Sequence, residues 1–301
     1  MKTITNYLIA NMAVSDILIT VLAVPMQITE ILLGPHRWLI DGLLGSVLCK
    51  SAHFFQDITI GVSILSLLAI AVDRYRGIVF PLRKQLRKPA KICKIIVPTI
   101  WLISIGLHAI YFYIFRLVTA DSKTYCAPKF DQKKSQEAHF TVTFVCLIAI
   151  PTCVVTFLYS AVILNLNRSR HTCTRGQGSS RSMKSERLRE DKKVIRIIIV
   201  ILLAFIVCVM PINLYAILFY FVWDWKIPCG MENFAFAAFF VLYSNASINP
   251  CIYFVLNNKY RQGLVNILKA LPFVRKKATK STEMFALVQL KNTVSSSGFS
   301  R

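Results

Sequence analysis

Six separate stretches of this chain are apolar enough and long enough to cross roughly 30 Å of hydrocarbon. They cover about residues 4 to 32, 47 to 75, 93 to 115, 139 to 164, 194 to 222 and 232 to 256. A backbone in lipid has no water to bond, so each stretch must satisfy its own amides, and a helix does this within one segment. The expected fold is therefore an all-α bundle of membrane-spanning helices. Composition agrees: 55% of the 301 residues are hydrophobic and 17% charged, more apolar surface than one soluble core can bury. Met1-Lys2-Thr3 leads straight into a span that contains Asp16 and ends near Glu30, which does not resemble a cleavable leader.

Charge sets the orientation. Lys and Arg number 36 against 14 Asp and Glu, a net charge of +22 that in a soluble chain would point to nucleic acid. Here the basic residues occupy alternate connectors. Arg76, Arg83, Lys84, Arg87, Lys88, Lys91 and Lys94 follow the second span, and a second group from Arg168 to Lys193 follows the fourth. The loops near 33 to 46 and 223 to 231 hold few basic residues. The basic connectors and both chain ends are thus expected in the cytosol, with no nucleic-acid partner. Nine cysteines form neither a metal pattern nor a secreted framework. Cys49 and Cys126 both fall on the oxidising side, where a disulfide between them is chemically permitted. Cys93, Cys146, Cys153, Cys208 and Cys251 are expected to be small buried hydrophobes, and Cys229 lies outside with no evident partner.

Polar residues within the spans are costly in lipid and normally face the bundle interior. Asp16 stands in the first span beside Asn11 and Ser15, Ser63 in the second, and Asn245, Ser247 and Asn249 in the last. Such an oxygen-rich set suits a small cation or a proton; the alternative is a protonated Asp16 hydrogen-bonded to the asparagines. Pro25, Pro98, Pro151, Pro211 and Pro250 each remove one helix hydrogen bond, leaving places where a span can kink. At the inner end of the second span stands Asp73-Arg74-Tyr75. Arg74 either snorkels there as an anchor or forms an ion pair that can be made and broken.

These residues, in this order, resemble the rhodopsin-like (class A) G-protein-coupled receptors over nearly the whole chain. Leu8 to Asp16 is similar to that family's second helix, and Cys49 with Asp73-Arg74-Tyr75 to its third. Trp101 matches the fourth, Pro151 and Tyr159 the fifth, Phe205 and Pro211 the sixth, and Asn249-Pro250-Cys251-Ile252-Tyr253 the seventh. The resemblance implies a receptor of the plasma membrane rather than an enzyme, activating a heterotrimeric G protein by outward movement of the helix containing Pro211. It implies that Arg74 is the switch arginine, restrained by Asp73 and by Asp191 or its neighbour Glu190. Tyr159 and Tyr253 would swing toward Arg74, and Leu82 would press into the G protein. Asp16, Ser63, Asn245 and Asn249 match a sodium pocket, so the implied cofactor is an allosteric sodium ion and no other. Ile64, Pro151 and Phe205 match a packing switch beneath the ligand. The implied organisation is a bundle over 1–256, an amphipathic membrane-surface helix over 257–269 and a flexible cytoplasmic tail over 270–301, with arrestin, receptor kinase and membrane lipid as further partners.

Two departures accompany the match. The family's first helix has no counterpart, so the chain is expected to be an incomplete gene model, a fragment or a true six-span variant. Val209 stands where the family usually has tryptophan, two residues before Pro211. Gln56 occupies the position that carries a carboxylate in aminergic receptors, with Asp57 pointing about 100° away around the helix. No lysine lies in the last span, which excludes a retinal Schiff base. The implied ligand is a neuropeptide, in a mouth lined by Gln27, Glu30, Gln56, Asn213, Phe239 and Tyr243, with Asp41, Asp224 and Glu232 above it. The competing reading is a six-span transporter with Asp16 on its ion path, or a truncated receptor without function.

Overall fold

A computed structural model describes residues 3–34, 36–80, 89–120, 122–129, 132–173, 180–256, 261–263 and 265–266, with the side chains of 167–188, 190, 191 and 232 outside the description. Among these residues six helices are long and apolar enough to span a membrane, at Ile4–Leu33, Gly42–Val79, Pro89–Ile114, Lys133–Leu166, Lys192–Val222 and Asn233–Leu256. Their exposed faces are rich in apolar side chains such as Ile17, Val21, Leu32, Phe157, Val207 and Val255, as helices solvated by acyl chains require. The chain divides into two compact units, Met1–Pro250 and Cys251–Arg301. Of the second, the described part is the last turns of the final helix and the helical residues 261–263 and 265–266, within the stretch expected to form a membrane-surface helix.

In chain order, helix α1 (Ile4–Leu33) starts at Thr3, whose Oγ1 accepts the Asn6 N–H at 3.3 Å, and stops at Gly34 with φ of +101°. That conformation is easy only for a residue without Cβ. Helix α2 (Gly42–Val79) runs beside α1, and its own inward face is almost continuously buried from Thr59 to Ala71. Helix α3 (Pro89–His108) and the short α4 (Tyr111–Ile114) form the third span. Then come strands β1 (Phe115–Ala120) and β2 (Lys123–Pro128), helix α5 (Lys133–Thr143), a π-helical turn at Phe144–Ala149, and α6 (Ile150–Cys173). Pro151 stands two residues after the end of that wide turn, and a proline cannot donate the bond that would close an ordinary α-turn. Helix α7 (Ser180–Ile217) carries Pro211 and ends in a second π-helical turn, Leu218–Val222; α8 (Glu232–Leu256) completes the order.

The most central helix is α2, which packs on α1, α3, α6 and α7. At Gly61 it approaches α3 so closely that a Cβ would lie 2.9 Å from Ser104 Oγ and 3.2 Å from Leu147. Small residues at such crossings let helix backbones approach in a medium that supplies no hydrophobic drive.

The segment from 115 to 128, which lies between the third and fourth expected spans, is an antiparallel hairpin pairing Leu117 with Cys126 and Val118 with Tyr125. Its runs of β-branched and aromatic residues flank a tight turn, and that pattern was the available signal. The strand pair is extended by the stretch before α2: Trp38 N–H bonds Thr124 O at 2.9 Å and Cys126 N–H bonds His36 O at 2.8 Å. Cys49 and Cys126 are joined in a disulfide with Cα atoms 5.8 Å apart, packed with Ile114 and Phe115 in a small buried cluster. At the other side of the outer face, Trp225 Nε1 donates to Glu137 at 3.1 Å and Gln136 donates to Tyr220 Oη at 3.0 Å, which ties α5 to the outer end of α7. Phe140, Tyr220 and Trp225 stack in the same place, with ring centroids 5.3 and 5.0 Å apart.

Two expectations are corrected here. Only Cys93 and Cys208 of the five span cysteines are buried; Cys146, Cys153 and Cys251 are exposed, on faces where a thiol meets acyl chains at little cost. Ser247 is likewise exposed rather than turned to the interior. Gly61→Val should cost about 1–3 kcal/mol through overpacking against α3. The check is thermal unfolding of the purified full chain, with Gly106→Val, a site open to 4 Å, as the control that leaves the midpoint in place.

Candidate functional site

The buried polar residues assemble in three tiers. In the middle tier the Asp16 carboxylate on α1 accepts the Asn249 Nδ2 amide from α8 at 3.1 Å, a link between residues 233 positions apart. Ser15 donates to the Met12 carbonyl at 2.7 Å, so the 3.1 Å contact between its oxygen and Ser63 Oγ is filled by the Ser63 proton. A narrow cavity beside these groups is lined by Asp16, Ser63, Asn245 and, from α7, Val209. The Oδ1 atoms of Asn245 and Asn249 are buried without a hydrogen-bond partner among the described residues. Carboxylate, hydroxyl and two unspent amide oxygens make a donor set that fits a small hard cation.

Just below, the sequence pattern singled out no network, yet Asn11 makes one. Trp101 Nε1 on α3 donates to Asn11 Oδ1 at 2.9 Å, and Asn11 Nδ2 donates to Ser66 on α2 at 3.0 Å. One asparagine amide thus joins three helices. Ile64 and Phe205 are fully buried and Pro151 is buried, as a packing core requires.

At the inner tier the Arg74 guanidinium reaches two oxygens. Its Nη2 lies 2.8 Å from Asp73 Oδ2 and 2.5 Å from Thr5 Oγ1 at the inner end of α1. Both acid and base are half-buried, so water still screens the pair in part. Thr5 was not foreseen; nothing in the sequence connects two residues 69 positions apart. Arg74 Nε is buried and has no partner among the described residues. Tyr75 packs edge-on to Phe80. Tyr159 is buried on α6, and Tyr253 is buried in the second unit. The side chains of Asp191 and Glu190, and all of Leu82, lie outside the described residues.

Residues of the outer tier are partly spent on one another. Gln27 donates to Glu30 at 3.0 Å, Asn213 donates to the Val209 carbonyl on its own helix at 2.9 Å, and Phe239 stacks on Tyr243 at 6.3 Å. Gln56 Oε1 and Tyr243 Oη are buried with no hydrogen-bond partner among the described residues. Asp57 accepts the Tyr111 hydroxyl, turned from the Gln56 direction as the helical spacing requires. The acids placed above the mouth behave otherwise. Asp224 pairs with exposed Lys133 at 3.4 Å, Asp41 accepts the Thr124 hydroxyl at the start of α2, and the Glu232 side chain is outside the description.

Residues 1–253 match the family model described as 7 transmembrane receptor (rhodopsin family). Among similar curated chains, galanin receptor type 2 of Rattus norvegicus is 29% identical over 270 residues, covering 89% of this chain and 68% of its own. Substance-K receptor of Rattus norvegicus is 28% identical over 277 residues, covering 91% and 68%. Neuromedin-K receptor of Mus musculus is 26% identical over 281 residues, covering 91% and 58%. The chain therefore spans about two thirds or less of the length of the relatives it matches.

Asn11→Ala should leave the Trp101 N–H and the Ser66 hydroxyl without their partner, a loss of about 1–3 kcal/mol. Adding Trp101→Phe removes the stranded donor and should recover part of the loss. A double-mutant cycle on thermal unfolding of the detergent-solubilised chain measures that coupling.

Proposed function

Because this chain belongs to the seven-transmembrane receptors of the rhodopsin family, we propose that it is activated by an extracellular peptide and passes the signal to a heterotrimeric G protein. The observation that carries the reading is the Arg74 guanidinium held jointly by Asp73 and Thr5, a charge clamped at the inner end of the bundle. A clamp made of one ion pair and one hydroxyl can be exchanged for partners on another molecule. The mechanism follows from differential affinity: a ligand bound at the outer tier favours one packing of the helices only by as much as it binds that packing better. Outward displacement of α7 about Pro211 then opens the inner face, and Arg74 leaves Asp73 and Thr5 for the G protein. Ile64, Pro151 and Phe205, buried between the tiers, repack during the change. Leu82 supplies the apolar contact to the G protein, and phosphates on the Ser- and Thr-rich tail recruit arrestin after a receptor kinase has acted.

A peptide is favoured over a small amine on two grounds. The similar chains are named as receptors for galanin, substance K and neuromedin K. Gln56 also offers an amide where an amine would need a carboxylate. The outer tier supplies neutral hydrogen-bonding atoms, Gln56 Oε1 and Tyr243 Oη, beside the carboxylate of Glu30.

Sodium is the second ligand in this reading. Asp16, Ser63, Asn245 and Asn249 hold it, and its charge stabilises the packing in which α1, α2 and α8 stay together. An agonist that favours the other packing must then compete with the ion through reciprocal linkage.

Arg74→Ala should reduce nucleotide exchange on a co-reconstituted G protein to the level of the G protein alone, with peptide affinity retained. Exchange at the parental rate would reject the role given to Arg74. Raising sodium should lower agonist affinity by roughly 5-fold or more, and Asp16→Asn should abolish that dependence. Radioligand competition at constant ionic strength, with choline replacing sodium, separates the ion from general screening.

A further inference from the structure

One described cavity has no part in the three tiers. It is a cleft of about 700 Å³ at the outer end of the second and third spans, between the first turns of α2 and the aromatic turn that leads into the hairpin. One wall is the helix face Gly42, Ser46 and Lys50, spaced four residues apart and so aligned on one side of α2. The facing wall carries Phe112, Tyr113 and Arg116, and the hairpin adds Thr119 and Thr124. Two cations and a row of hydroxyls therefore converge on one cleft.

Neither cation is answered by an acid. Among the described residues Lys50 and Arg116 take part in no ion pair, and the guanidinium of Arg116 rests 5.5 Å above the Tyr113 ring. The one carboxylate in the cleft, Asp41, is engaged by the Thr124 hydroxyl, which holds it in place without neutralising either base. With two bases against one carboxylate the cleft keeps a net positive charge, and together with its hydroxyl donors this suits an anion seated at Lys50 and Arg116, on the side away from Asp41.

Its rim says which anion. Leu43 is 84% exposed and Tyr113 62%, and Val47, one turn after Leu43, and Phe112 are exposed as well. These apolar groups stand on the elements that build the polar cleft, at the level where a span leaves hydrocarbon for water. A water-soluble anion has no use for that rim. The geometry points to a phospholipid of the outer leaflet, its phosphodiester held by Lys50 and Arg116 and the first segments of its acyl chains lying over Leu43 and Phe112. A zwitterionic headgroup would place its ammonium at Asp41. The site is separate from the ligand tier, so it stands whether or not the activating ligand is a peptide.

The test is native mass spectrometry of the purified full chain in detergent, titrated with dioleoyl phosphatidylcholine, dioleoyl phosphatidylglycerol and dioleoylglycerol. Both phospholipids should be retained and the phosphate-free diacylglycerol should not. Lys50→Gln with Arg116→Gln should weaken retention about tenfold, and Lys50→Arg with Arg116→Lys should restore it. The comparison of the three lipids on the parent protein needs no variant, so a folding defect in the double variant cannot mask the result. Equal retention of diacylglycerol, or undiminished retention by the Gln variant where that variant keeps its thermal midpoint, would overturn the site. Displacement by glycerophosphoglycerol at concentrations matching the lipid would show a soluble-anion site and overturn the assignment to lipid.

Discussion

A carboxylate halfway across a hydrocarbon slab must be answered by another group, and Asp16 is answered by the Asn249 amide 233 positions later. That single bond closes α1 onto α8, with α2 brought in through Ser63 and Ser15. Because lipid offers no hydrophobic drive between helices, such polar contacts and close small-residue crossings decide which helices are neighbours. Gly61 against Ser104 and Asn11 between Trp101 and Ser66 do the same for α3. The exposed sides of these helices, mostly apolar, contribute insertion and little specificity.

The polar tiers are graded in how far they are satisfied. Asn11 has both its amide functions engaged, and the Arg74 guanidinium is held on one edge. By contrast Gln56, Tyr243, Asn245 and Asn249 each keep a buried atom without a partner among the described residues. Fully paired groups rigidify a core, while unpaired ones in a low-dielectric interior mark where an outside species completes the set. The unsatisfied atoms lie in the outer and middle tiers, and the clamped charge lies at the inner end. That distribution suits a protein of the plasma membrane that is loaded from outside and discharged within.

Much of this was legible in the sequence, for reasons that differ by residue. The spans follow from hydrophobic length, and their orientation from the basic connectors around Arg83 and Arg187. Asp16 declares itself because an acid in a span needs a reason. The pairing of Cys49 with Cys126 agrees with topology alone. Thr5 was invisible: a threonine at a span end carries no signal until its partner is placed next to it. The hairpin was missed because its strands are short and flanked by longer apolar runs, and the exposed thiols because hydropathy does not distinguish an inward face from a lipid-facing one. The cleft of Lys50 and Arg116 joins residues 66 positions apart through the hairpin's fold, which no local spacing encodes.

Val209 lines the middle cavity on α7, two residues ahead of Pro211. A β-branched side chain in a helix has one strongly preferred rotamer, so this position cannot store two orientations of a ring the way a large aromatic can. Under the mechanism proposed above, the change at that level is a displacement of the α7 backbone itself, with the proline's missing hydrogen bond as its compliant joint.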